Sequence, residues 1–152
     1  MHIRTYQPGD EKSIIALEDT VLKEYGFRFL PKLDRDLLDI PKYYTNRMGQ
    51  FFVLVDGDKV VGSIGVSKIT ARVCKLRRFY ILKHYRKQGW GRKLYQEALE
   101  FIRGVGYGEI WLSSAPQFKD ALRFYEYAGF KRTEKTLWPH VRAGIFYVMK
   151  LE

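Results

Sequence analysis

The sequence predicts an α/β (α+β) domain in which helices pack on a mixed sheet. Three observations carry this. The hydrophobic period switches along the chain between a helical repeat near 3.6 and a strand repeat of 2. Turn and stop signals separate the periodic stretches, chiefly Asp56-Gly57-Asp58, Gly89-x-Gly91 and the glycines at 104, 106 and 108. The resulting order, β, α, α, β, β, β, α, β, α, β, β, suits a layered arrangement with helices on the faces of one sheet. The 152 residues are expected to form one domain over 1–152, and a hydrophobic content of 46% is too high for disorder.

Ile3-Arg4-Thr5-Tyr6 alternates like a short strand, and Pro8-Gly9-Asp10 breaks it, with Asp10 placed to cap a helix. Ile14, Leu17, Val21, Leu22 and Tyr25 then recur at helical spacing until Gly26. Residues 31–49 read as a poorer helical segment starting near Asp34 and interrupted by Pro41. From Phe51 to Val55 the run becomes apolar, β-branched and aromatic, and after the hairpin signal it returns over Lys59 to Val66. Ala71 to Leu82 reads as a third strand. A helix over 90–103 places Leu94, Ala98 and Ile102 on one face. Glu109 to Ser113 is a strand, and Phe118 to Ala128 a helix that Gly129 can end. Lys131 to Leu137 and Gly144 to Lys150 close the chain as a pair of strands, with the loop Trp138-Pro139-His140-Val141 between them.

The net charge of +10 is concentrated. Residues 68–103 hold eleven Lys and Arg against Glu97 and Glu100, a net +9, while the rest is nearly balanced at +1. Such a segment suits a nucleic acid or one polyanionic small molecule. It surrounds Arg86-Lys87-Gln88-Gly89-Trp90-Gly91-Arg92, which follows the apolar run Phe79-Tyr80-Ile81-Leu82 and opens a helix. A strand, a glycine turn and a helix start form an anion cradle, because glycines let the backbone approach closely and the first amides of the helix are free. The dinucleotide form of this turn needs a third glycine three residues after Gly91, where Leu94 stands, and no Walker pattern occurs. A polyanionic cosubstrate therefore explains the charge more specifically than nucleic acid. No apolar run reaches the roughly 20 residues of a membrane span. The N-terminal residues lack a leader's apolar core, and Cys74 is the single cysteine, so a cytoplasmic protein is expected.

Arg86-x-x-Gly89-x-Gly91, after a strand and opening a helix, resembles motif A of the GNAT superfamily of acyl-CoA-dependent N-acetyltransferases. Ala121-x-x-Phe124-Tyr125-x-x-x-Gly129-Phe130 resembles its motif B, and the element order matches along the whole chain. The resemblance implies a mostly antiparallel sheet that splays at the cofactor site, about four helices, and direct attack of a primary amine on the thioester of acetyl-CoA. It implies no metal, and it leaves room for a homodimer. The acceptor is a small-molecule or a protein amine. Backbone amides from Lys87 to Arg92, including those of Gln88 and Trp90, would wrap the pyrophosphate, with the charges of Arg86, Lys87, Arg92 and Lys93 beside them. Backbone groups of Phe79, Tyr80 and Ile81 would pair with the pantetheine arm, and the amide of Tyr80 or Ile81 would face the oxyanion.

Tyr125 is the catalytic candidate, placed to protonate or hydrogen-bond the leaving sulfur; as a sequence feature it also reads as a core tyrosine. Two positions depart from the family. Phe118 stands where many members carry an asparagine that contacts CoA, leaving Ser113, Ser114 or Gln117 to replace it. Lys75, after Cys74, stands where many carry a glutamate base. Neither is a convincing base; candidates elsewhere are Glu24, Asp34, Asp36, Glu109 and His140, or solvent water, with His84 a surface residue beside the cofactor. Tyr25, Phe27, Phe29, Tyr43, Tyr44, Trp138 and His140 are candidates for an aromatic acceptor pocket, although most read equally as core. The two departures leave open a domain that binds acyl-CoA without turnover.

Overall fold

The computed structural model describes residues 1–139, 142 and 144–152. Seven strands form one sheet: β1 (His2–Thr5), β2 (Gln50–Asp56), β3 (Lys59–Lys68), β4 (Val73–Ile81), β5 (Glu109–Ser114), β6 (Lys131–Thr133) and β7 (Ile145–Lys150). Their order is β1-β2-β3-β4-β5-β7-β6, and only the β4–β5 pair is parallel. Three α-helices, α1 (Glu11–Lys23), α2 (Trp90–Val105) and α3 (Lys119–Ala128), cover the faces. The poorer helical segment exists as two short pieces, a 3₁₀ turn at Arg35–Leu38 and a π turn at Pro41–Thr45. Pro41 starts the second piece, where its missing N–H is tolerated.

Both faces of the sheet are buried, which explains the apolar runs at β2 and β3. Strand alternation sends Phe51, Val53 and Val55 to one side, against Ile14, Leu17 and Val21 of α1 and Leu37, Ile40 and Tyr44. It sends Phe52 and Leu54 to the other, against Leu94, Ala98 and Ile102 of α2 and Tyr125 of α3. Tyr44 lies so close to β3 that a Cβ on Gly65 would sit 2.9 Å from its ring.

Three expected details differ. Asp10 occupies the residue before α1 but makes no side-chain cap, because its carboxylate takes two hydrogen bonds from Arg4 (2.7 and 3.0 Å) and one from the Gln7 amide (2.8 Å). β4 runs from 73 rather than 71, since Thr70 closes a turn with Val73. β6 stops at Thr133 rather than reaching Leu137, its pairing with β7 ending at Thr133–Phe146.

Two irregularities shape the centre. β4 and β5 pair only from Val73–Glu109 to Lys75–Trp111, and beyond that point they diverge. Between Ser63 and Gly65 of β3, β4 advances three residues, from Tyr80 to Arg77, so one residue is extra. Arg78 absorbs it with φ of 55°, and Ser63 Oγ donates to its carbonyl at 2.6 Å. No helix among the described residues is long and apolar enough to cross a membrane.

Candidate functional site

The gap between the diverging strands is a cleft of ≈ 380 Å³. One wall is β4 from Leu76 to Ile81, a second is Ser113, Ser114 and Ala115 at the end of β5, and α1 and α3 flank it through Leu22, Tyr25, Ala121 and Tyr125. Arg86, Lys87 and Gly91 line one end, and Arg77, Arg78 and Arg142 also line the cleft. The sequence-predicted residues Phe79, Tyr80, Ile81, Arg86, Lys87, Gly91 and Tyr125 therefore share one cavity. Gln88, Gly89, Trp90 and Arg92 form the adjoining turn and helix start.

That turn is built as a cradle. Lys87 and Gly89 both take left-handed backbone, at φ of 61° and 89°. The amides from Lys87 to Arg92 donate no backbone hydrogen bond, and the first amide tied back is that of Lys93, to Gly89 at 3.2 Å. Successive free amides in this geometry make an anion-binding nest at the positive end of α2. Lys93 lies over the Trp90 ring, with Nζ 4.4 Å from its centroid. Arg86 departs from expectation. Its guanidinium grips Glu24 with two hydrogen bonds (2.8 and 2.7 Å) and donates from Nε to the Ile81 carbonyl at 2.8 Å. It thus fastens α1 to the turn instead of standing free for a phosphate, and it occupies that carbonyl of β4.

Tyr125 is 7% exposed, yet its hydroxyl has no hydrogen-bond partner among the described residues. Its ring is held by Phe79, Phe124, Phe130 and Tyr147 at centroid distances of 5.9 to 6.4 Å. Burial, with the nearby Tyr80 phenol, pushes its pKa well above that of a free tyrosine, so it stays a proton-bearing donor. The helix end is locked by Gly129 at φ of 105° and by the Phe130 amide bonding back to the Tyr125 carbonyl at 3.0 Å. Motif B thus fixes the height of the phenol above the cleft. Phe118 packs on Tyr25 (4.4 Å), Phe27 (6.2 Å) and Tyr80 (6.5 Å), an aromatic bridge across the divergence where an amide was expected.

The candidate bases are mostly committed elsewhere. Glu24 holds Arg86, and Glu109 accepts from Trp111 Nε1 at 2.9 Å. Asp34 and Asp36 are buried in ion pairs, Cys74 is fully buried with its thiol pushed up to about 12, and His140 lies outside the described residues. Lys75 differs from its sequence reading. Burial and the charges of Arg77 and Arg78 bring its pKa down to about 7, and its Nζ lies 3.8 Å over the Trp138 ring. Trp138 Nε1 in turn donates to Ser113 Oγ at 3.2 Å. The aromatic candidates divide: Tyr25 lines the cleft, while Tyr44 is wholly buried and Phe29 and Tyr43 pack against the α1-side core.

Sequence reasoning missed an ionic network behind the cleft. Because of the bulge, Arg78 joins Arg77 on the sheet face that carries α1 and the 35–38 turn. Arg78, with a side chain 8% exposed, pairs with Glu18, Asp34 (3.0 Å) and Asp36 (2.6 Å). Arg142 clasps Asp34 with two contacts (2.6 and 2.7 Å) and donates to the Arg28 carbonyl at 2.6 Å. Tyr44 donates to Asp36 at 2.6 Å. Burial would raise the Asp36 carboxyl, but Arg78, Arg77 and the hydrogen bonds outweigh it and bring it to about 2. Burial prevails at Glu18, whose Oε2 has no hydrogen-bond partner among the described residues, and lifts it to about 7. The only sequence signal was an Arg-Arg pair inside a strand; its carboxylate partners lie 41 to 60 residues away in the chain.

Residues 14–130 match the model of the Acetyltransferase (GNAT) family. The chain is 31% identical to human N-acetyltransferase 8 over 68% of its length and spans about half of that relative, 48%. It superposes with a TM-score of 0.91 on an acetyltransferase from Streptococcus agalactiae, at 27% identity, covering 99% of this chain and 98% of the other. The same fold, at 18% identity and a TM-score of 0.75, occurs in the PaiA N-acetyltransferase of Thermoplasma acidophilum, solved in complex with coenzyme A, with 98% of each chain covered. The matched segment contains both the cradle at 86–92 and the helix that ends at Gly129-Phe130, and on these grounds the chain belongs to the GNAT acetyltransferase family.

Proposed function

We propose that the protein is an N-acetyltransferase that moves the acetyl group of acetyl-CoA to a primary amine in a ternary complex. The observation that carries this reading is the meeting, along one cleft, of the free amides at Lys87 to Arg92 and the unpartnered hydroxyl of Tyr125. The cradle has the chemistry for a pyrophosphate, and the apolar gap beyond Lys75–Trp111 has room for a pantetheine arm. The neutral amine attacks the thioester carbonyl and the C–S bond breaks. Tyr125 donates a hydrogen bond or proton to the departing sulfur, and the amine's proton leaves to a base or water. The single buried cysteine accords with a cytoplasmic enzyme.

Phe118, in place of the expected amide, favours one second reading, a domain that binds acyl-CoA without turnover. Release of free CoA on adding an amine decides between them. We expect amine-dependent release that falls about 10²-fold in kcat for Tyr125→Phe with little change in acetyl-CoA affinity, in the range of one general acid. Tight acetyl-CoA binding with no release for any amine would establish the second reading. Unchanged acetyl-CoA affinity in Gly89→Asp would remove the cradle from either.

A further inference from the structure

The charged groups on the cleft wall are not symmetric in sign. Arg77, Arg78, Arg86, Lys87 and Arg142 line it, against a single acid, Asp120. Arg86 is spent on Glu24 and the Ile81 carbonyl, and Lys87 belongs to the cradle. The other three arginines meet three carboxylates, so the network is formally neutral, but its two signs do not reach the cavity equally. Glu18, Asp34 and Asp36 have side chains 2%, 0% and 3% exposed, whereas those of Arg77 and Arg142 are 22% and 18% exposed. Arg77 and Arg142 are thus the accessible half of the network, and the carboxylates its buried half.

Arg77 is the informative member. Its guanidinium lies 5.9 Å over the ring of the buried Tyr44, and its Nη2 sits 3.3 Å from Asp36 Oδ1. Asp36 is itself fixed by Tyr44 and Arg78. Arg77 Nε and Nη1 have no partner among the described residues. A planar fork held from beneath, with donors unspent, on a residue that lines the cleft, suits a carboxylate. Arg142 is oriented by Asp34 and the Arg28 carbonyl and brings a second positive charge to the same cavity. Val21, Leu22 and Phe118 make the neighbouring wall apolar.

We infer that the acceptor is an amino acid, whose α-carboxylate docks on Arg77 while its amine faces the thioester. This rests on the acetyl-transfer reading above and narrows it. It argues against polyamines, for which the cleft offers a single accessible acid, Asp120, itself 3.6 Å from Arg123, while the three network carboxylates are buried. It also argues against protein N-termini, whose first residue has no free carboxylate.

The test uses phenylalanine, phenylalanine amide, phenethylamine, spermidine and a tetrapeptide amide beginning with phenylalanine, each assayed for CoA release by the parent, Arg77→Met and Arg77→Lys. The amines differ in basicity, so the quantity read is the change on substitution, in which basicity cancels. A charged hydrogen bond of about 1.5–3 kcal/mol corresponds to roughly a 10- to 150-fold fall in kcat/KM for phenylalanine in Arg77→Met. Arg77→Lys should recover part of it, and phenethylamine should change less than about twofold. An equal fall for phenylalanine and phenethylamine, or a parent enzyme that takes spermidine or the tetrapeptide as well as phenylalanine, overturns the inference. If no amine releases CoA, the transfer reading fails separately. Calorimetric binding of phenylalanine to the CoA-loaded protein then decides the carboxylate site: binding lost in Arg77→Met upholds it, and no binding to the parent overturns it.

Discussion

At the scale of single residues, Gly89 and Gly91 look equivalent in the motif and are not equivalent in the fold. Gly89 has φ of 89° and open space around the place of a Cβ, so its demand is conformational. Gly91 has helical backbone, and a Cβ there would meet Ile81 and Phe79 at 3.6 and 3.8 Å, ordinary contacts. Gly89→Ala should therefore cost about 1–2 kcal/mol, the left-handed penalty of an L residue, or several degrees of Tm. Gly91→Ala should leave Tm unchanged or raise it, as alanine is the better helix former. Equal shifts for the two in thermal unfolding would show that the left-handed turn is not what requires Gly89. Lys75 too is altered by its surroundings, because burial beside Arg77 and Arg78 lowers its pKa to about 7.

At the scale of elements, the bulge in β4 decides which way Arg78 points. With regular alternation its side chain would enter the apolar face shared with Leu94 and Tyr125, where a charge has no partner. The extra residue turns it to α1 and the 35–38 turn, where three carboxylates wait. Arg78→Met should cost about 3–5 kcal/mol, because it strands buried carboxylates rather than merely losing a contact. A loss below about 1 kcal/mol in chemical denaturation would mean that the network contributes nothing net. The helices and the hairpin of β2 and β3 were legible in the sequence because their periods are local. The bulge was not, since no residue in Leu76-Arg77-Arg78-Phe79 marks it and a non-glycine residue adopts the positive φ. The shortened β6 was hidden for a similar reason, because its end is set by where β7 stops pairing with it.

At the scale of the whole molecule, the network ties α1, the 35–38 turn, β4 and Arg142 together, so its ionisation should be readable in global stability. Asp36 titrates at about 2 in the folded chain against an ordinary 3.8. Its contribution is present above about 3.8 and is lost as pH falls toward 2, roughly 2 kcal/mol in all. Glu18 has the opposite sign: lifted from 4.5 to about 7, it favours the folded state below 4.5, and that contribution is lost as pH rises through 7. Denaturation at a series of pH values should show a loss below pH 4 that flattens in Asp36→Asn. It should also show a decline between pH 5 and 8 that Glu18→Gln removes. An Asp36→Asn variant with the same acid slope as the parent would place the acid sensitivity elsewhere.

By itself the sequence determined the element order, the glycine turn that opens α2 and the place of Tyr125 near the end of α3, because each depends on residues adjacent in the chain or one helical turn apart. Tertiary structure alone decided that Arg86 is held by Glu24, that Phe118 packs on Tyr25 and Tyr80, that burial lowers the Lys75 pKa, and that Arg77 and Arg142 keep some exposure while Glu18, Asp34 and Asp36 are concealed. Burial and pairing set these properties, and both depend on groups that only the folded sheet brings together.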